Sequence, residues 1–117
     1  MGARMSRHLE RLAQQLNLSD AQRTQIQTLQ LSYAREAIRA RADLAVMHLD
    51  LRQLLQADQP DLTKVKDMLQ QMANREMALR LARITMNQDI RTVLTPAQRQ
   101  QWRALRAQRM RQGPRDQ

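Results

Sequence analysis

Apolar residues recur three and four positions apart through almost the whole chain, the spacing that places them on one face of an α-helix. Leu9, Leu12 and Leu16 begin the pattern and predict a short amphipathic helix over about residues 5–17. From Asp20 to about Gln56 there is no Gly or Pro, and Ile26, Leu29, Tyr33, Ala37, Ala40, Leu44, Met47, Leu51 and Leu54 keep the same step. One uninterrupted helix, 20–56, follows. At 1.5 Å per residue it would run about 55 Å, whereas a compact chain of this size is about 35 Å across, so an elongated or bowed molecule is expected. Ala57 to Asp61, with Pro60, form the interior break, and Asp61 or Gln59 can cap what comes next. Leu62, Val65, Leu69, Met72, Glu76, Leu79, Arg83, Met86, Ile90 and Val93 then repeat the step, predicting a third helix over 62–93. Two long helices joined by a short break should fold back as an antiparallel hairpin.

Two short segments punctuate this pattern. Ser19 and Gln22 stand at the spacing of a capping box, in which the hydroxyl accepts from the third helical amide and the Gln side chain reaches back to the Ser amide. Thr95 and Gln98 repeat the device, with Pro96 at the first helical position, where a missing amide proton costs nothing. A fourth helix is expected over 96–110, and Gly113 and Pro114 make 111–117 a frayed tail. The fold class is therefore all-α, a four-helix hooked hairpin in a single helical domain, 1–117.

Composition narrows the function. With 117 residues, the chain has room for one functional unit. It has no cysteine, which removes disulfides and thiolate chemistry. No apolar run reaches the roughly 20 residues of a membrane span, and Met1 to Ser6 lack a signal-peptide hydrophobic stretch, so a signal peptide or N-terminal anchor helix is presumed missing from this sequence. Met1, Gly2 and Ser6 fit a myristoylation pattern that is short and frequent. The formal charge is +9, and because Lys64 and Lys66 are the only lysines, 18 basic residues are arginine. Arginine joins a planar fork of donors to a stem that covers apolar surface, which suits anionic and greasy partners alike. Arg99, Arg103 and Arg106 form a stripe on the fourth helix, while Arg75, Arg80, Arg83 and Arg91 stud the third. These are either solvated polar faces or a surface that steers acidic and partly unfolded clients.

Leu18-Ser19-Asp20-Ala21-Gln22 and Leu94-Thr95-Pro96-Ala97-Gln98 are two copies of an LTxxQ motif, the first with Ser for Thr. Leu18, Ser19, Gln22, Leu94, Thr95 and Gln98 are its structural capping residues. Two copies bracketing a Pro-broken helix pair resemble the Spy and CpxP group, whose relatives include ZraP and the CnrX-type heavy-metal sensors, over roughly Leu9 to Met110. The resemblance implies a bowed, cradle-like antiparallel homodimer in the bacterial periplasm. It further implies an ATP-independent chaperone or stress-response adaptor, or else the extracytoplasmic domain of a metal sensor, and in either case no enzyme. The chaperone reading takes unfolded or misfolded proteins as clients, needs no cofactor, and uses Arg75, Arg80, Arg83, Arg99, Arg103 and Arg106 as client contacts. A membrane sensor or an anti-sigma-type regulator is a further partner that the resemblance suggests.

The sensor alternative would require Zn, Ni, Co or Cu. The pattern of CnrX-like sensors is a His-x-x-x-His pair, an acidic ligand and a His-x-x-x-Met pair; here Leu12 follows His8 and Arg106 precedes Met110, so both pairs are half missing. Borderline metals depend on imidazole, which leaves His8, Glu36, His48 and Met110 as single candidate ligands. Met68, Met72 and Met77, with Met47 beside His48, offer thioethers for Cu(I) or fill gaps between helices. Glu76 and Arg83 fall on the third helix's apolar repeat, where a charge is costly unless paired. Arg83 is accordingly expected to pair with an acid of the second helix or of another subunit. A nucleic-acid-binding protein is the second alternative, resting on charge alone, because Tyr33 and Trp102 are the only aromatics and no recognised motif appears. No nucleic-acid partner is expected.

Overall fold

The computed structural model describes residues 7–112, apart from the side chains of His8 and Gln112. Every secondary-structure element among them is helical. Four helices follow in order: α1 (Arg7–Leu16), α2 (Asp20–Leu55), α3 (Leu62–Val93) and α4 (Pro96–Gln112). The expected all-α class and the four-helix order are observed, with boundaries that agree within two residues except at the start of α1, where residues 5 and 6 lie outside the described chain.

The end of α1 and the start of α3 are closed by local chemistry. Asn17 adopts φ 56°, the left-handed conformation that asparagine tolerates better than most residues. It lets the Leu18 amide donate back to the Ala13 carbonyl at 3.0 Å, a Schellman closure sealed by burial of both Ala13 and Leu18. At the start of α3 the Asp61 carboxylate accepts from the amides of Thr63, at 3.1 Å, and Lys64, at 3.4 Å. Asp61, rather than Gln59, is the N-cap, as the shorter acid side chain fits that role.

The chain divides into two compact units. The first unit comprises α1, α2 as far as Leu29, α3 from Asn87 and α4. Leu9, Leu12, Ala13, Leu16, Leu18, Ile26, Ile90 and Leu94 are all buried within it, so four helical segments share one dry centre. The second unit is Gln30–Met86, the two remaining helix arms and the Pro60 break between them. Its buried apolar residues are Ala37 and Met72; the rest of its seam is half-buried, including Tyr33, Ala40, Leu44, Met47, Leu51 and Leu54 on α2.

On α2 the seam runs through the positions that the spacing marks. On α3 it does so only in part. The sequence places Leu62, Leu69, Glu76, Arg83 and Ile90 on the inner face, but exposure climbs from 2% at Ile90 to 50% at Leu69 and 74% at Leu62, with Glu76 and Arg83 exposed between them. The companion series at the same step, Val65, Met72, Leu79, Met86 and Val93, stays buried or half-buried, so the inner face is centred on it and Glu76 and Arg83 keep their charges in water. Met68 and Ala82, half-buried, lie on the inner side as well. Arg83 therefore needs no buried counter-charge. The ion pair of the second unit is Arg75 Nη1 to Asp43 Oδ2 at 2.9 Å, with both side chains more than half exposed.

Candidate functional site

The two LTxxQ segments meet inside the first unit and make a reciprocal clamp. In the first copy the Ser19 amide donates to Gln22 Oε1 at 2.9 Å, and the Gln22 amide donates to Ser19 Oγ at 3.1 Å. In the second copy Thr95 and Gln98 form the same pair of bonds at 2.9 and 3.2 Å. Each Gln carboxamide then crosses to the other copy. Gln22 Nε2 donates to the Val93 carbonyl at 3.0 Å and to Gln98 Oε1 at 2.8 Å. Gln98 Nε2 donates to the Leu16 carbonyl at 3.1 Å and to Gln22 Oε1 at 3.3 Å.

The physical logic is complementary. A helix start leaves amide donors unpaired and a helix end leaves carbonyls unpaired. One Gln carries both an acceptor oxygen and a two-proton donor, so it caps its own helix while capping the end of the helix that leads into the other copy. The end of α1 and the start of α4 are tied together, as are the start of α2 and the end of α3. Leu18 and Leu94, 5% and 4% exposed, drive the two segments into the apolar centre beneath these bonds. Sequence spacing reveals each capping box singly; the crossed bonds between the boxes depend on tertiary geometry.

The six arginines assigned to client contact fall three to each unit. On α4, Arg99, Arg103 and Arg106 follow at four and three residues, which puts them on one face. Arg99 is half-buried and Arg103 and Arg106 are exposed. Arg106 lies over the Trp102 ring, with Cζ 5.5 Å from the centroid, and Arg91 approaches the same ring at 6.0 Å. On α3, Arg80 and Arg83 are exposed, while Arg75 is engaged with Asp43.

The candidate metal ligands are not brought together. Glu36 and His48 are exposed on α2, twelve residues apart, which is about 18 Å along the axis. No single ion can bridge that distance. Met110 is 82% exposed on α4, and the His8 side chain lies outside the described residues. Among the described residues no group of three or more His, Cys, Asp or Glu side chains is placed to hold an ion. Met68 and Met72 sit on the inner side of α3, Met72 at 5% exposure, where a thioether fills space between helices.

Sequence spacing alone passes over a second apolar stripe. Leu31, Ile38, Val46 and Leu49 of α2 are exposed, Ile38 by 66%, and at 100° per residue they lie away from the Tyr33–Ala37–Leu44 seam. Arg35 and Arg39 flank Ile38. On α3, Met77, Leu81 and Ile84 are each at least 58% exposed, with Arg80 one turn before Ile84. Of the eleven large apolar residues exposed among the described residues, ten belong to the second unit. The seven-residue interval between Leu31 and Ile38 is the signal that would have found the α2 stripe.

A family model described as LTXXQ motif family protein matches residues 4–111. No curated protein and no solved structure matches the chain. No described helix is long and apolar enough to cross a membrane.

Proposed function

Because the chain belongs to the LTXXQ motif family over nearly its whole length, we propose that it is a periplasmic, ATP-independent chaperone or stress-response adaptor that holds unfolded or misfolded proteins and acts as a homodimer. The observation that carries this reading is the second unit's surface, where large apolar side chains stand in water between arginines. An exposed apolar residue is ordinary, but a contiguous series along a helix marks an interaction surface. Unfolded chains present apolar side chains and backbone without a fixed shape, and a face of Leu, Ile and Met side chains suits them because it offers no shape-specific pocket. The arginines add long-range attraction for acidic clients and contribute apolar stems at short range.

The half-buried apolar seam of the hairpin, rather than its outward stripes, serves the second copy. A hairpin whose fully buried apolar residues are Ala37 and Met72 gains stability from a partner that covers it, and burial contributes about 25 cal/mol per Å² of apolar area. The test is the aggregation of a reduced, disulfide-dependent client followed by light scattering. Suppression at equimolar protein without ATP is expected, reduced by added salt and by Arg80→Glu with Arg83→Glu. No suppression at several-fold excess would remove the reading. Sedimentation equilibrium checks the assembly: twice the chain mass of 13.7 kDa is expected.

A further inference from the structure

We infer that the cavity between α1 and α4 in the first unit binds a small organic carboxylate with an apolar body. The cavity, about 190 Å³, is lined by Arg11 and Leu12 of α1 and by Trp102, Leu105, Arg106 and Arg109 of α4, and its lining contains no carboxylate. Three arginines from two helices thus line one concavity, and no acidic residue shares the lining. Like charges one turn apart, as at Arg106 and Arg109, weaken a helix rather than support it. A concave wall of low dielectric focuses their field on the space between them. An anion in that space relieves the repulsion and can accept a bidentate bond from a guanidinium fork.

The floor sets the rest of the ligand. Leu12 is 5% exposed, and Leu105 and Trp102 are half-buried, so one wall is apolar. Arg106 is already laid against Trp102, which restrains its fork and lowers the ordering cost of using it. Size decides between ligands: an apolar cavity of about 150 Å³ accepts a benzene ring, so this one accommodates a six-membered ring and a carboxylate, but not a folded partner. Inorganic sulfate or phosphate would satisfy the arginines and leave the floor unused. The site shares Arg106 with the arginines assigned to client contact, while the observation that carries the client-binding reading lies on the second unit.

Trp102 is the only tryptophan of the chain, so its emission reports on this cavity directly. Titration with cyclohexanecarboxylate, which neither absorbs nor emits in the tryptophan range, is expected to give a saturable change with an apparent Kd below millimolar. Cyclohexanecarboxamide, the neutral isostere, and acetate, the anion without an apolar body, should each bind at least tenfold more weakly. By calorimetry, Arg11→Gln combined with Arg109→Gln should weaken binding at least tenfold while far-UV circular dichroism is unchanged, since both side chains are exposed. A peptide ending in a free leucine carboxylate, compared with its amide, identifies whether chain termini as well as free acids supply the anion. The inference is overturned by the absence of a saturable response, by equal binding of carboxylate and carboxamide, or by unchanged binding in the double variant.

Discussion

At the scale of single residues, Gln22 and Gln98 have no equivalent elsewhere in the described chain. Each side chain joins a helix start to the end of a different helix. A net hydrogen bond contributes about 0.5–1.5 kcal/mol, and a buried group left unpaired costs about 1–3 kcal/mol. Gln22→Ala should therefore lower stability by about 2–3 kcal/mol in urea unfolding. Gln98→Ala should do the same, and the double variant should lose clearly less than the sum, because the carboxamides bond each other. Additive losses would show that the crossed bonds contribute nothing. Asn17→Val should cost about 1–2 kcal/mol, because a β-branched residue at φ 56° meets the left-handed steric penalty. Removing the Arg75–Asp43 pair by Arg75→Ala should change stability by less than about 1 kcal/mol, since both groups are more than half exposed.

At the scale of elements, the two long helices differ in how much of their packing the sequence discloses. The α2 seam was legible because Ile26, Leu29, Tyr33, Ala37, Ala40, Leu44, Met47, Leu51 and Leu54 mix three- and four-residue steps, which track a 3.6-residue turn. The α3 seam was legible in part: Val65, Met72, Leu79, Met86 and Val93 turn inward as their spacing marks, whereas Leu62, Leu69, Glu76 and Arg83, at the same seven-residue step, are exposed. The two charged members were the available warning, because a buried Glu and Arg would each demand a partner. Urea unfolding of single variants separates the two faces of α3. Met72→Ala should cost about 2–4 kcal/mol, and Arg83→Leu should stay within about 0.5 kcal/mol of the parent. Among the assigned site residues, the capping sets could be read from spacing. The shared cavity lining of Arg11, Trp102, Arg106 and Arg109 could not, because it joins α1 and α4 across more than ninety residues of chain.

At the scale of the whole molecule, the two units differ in kind. The first concentrates the fully buried leucines and isoleucines together with the crossed glutamines; the second holds Ala37 and Met72 as its buried apolar residues and exposes ten large ones. Local opening free energy follows buried apolar area, so amide exchange should be slowest near Ile26 and Ile90 and faster through residues 40–80. Uniform protection would mean that the second unit is stabilised by something other than its own packing.

The account turns on whether the outward apolar stripes exist for binding rather than for folding. A variant carrying Ile38→Ser, Leu49→Ser, Leu81→Ser and Ile84→Ser, assayed for suppression of client aggregation beside its thermal melt, decides it. The predicted result is that suppression is largely lost while the chain stays helical and melts within a few degrees of the parent. Full suppression with a sharply lowered melting temperature would contradict it, since the stripes would then be structural.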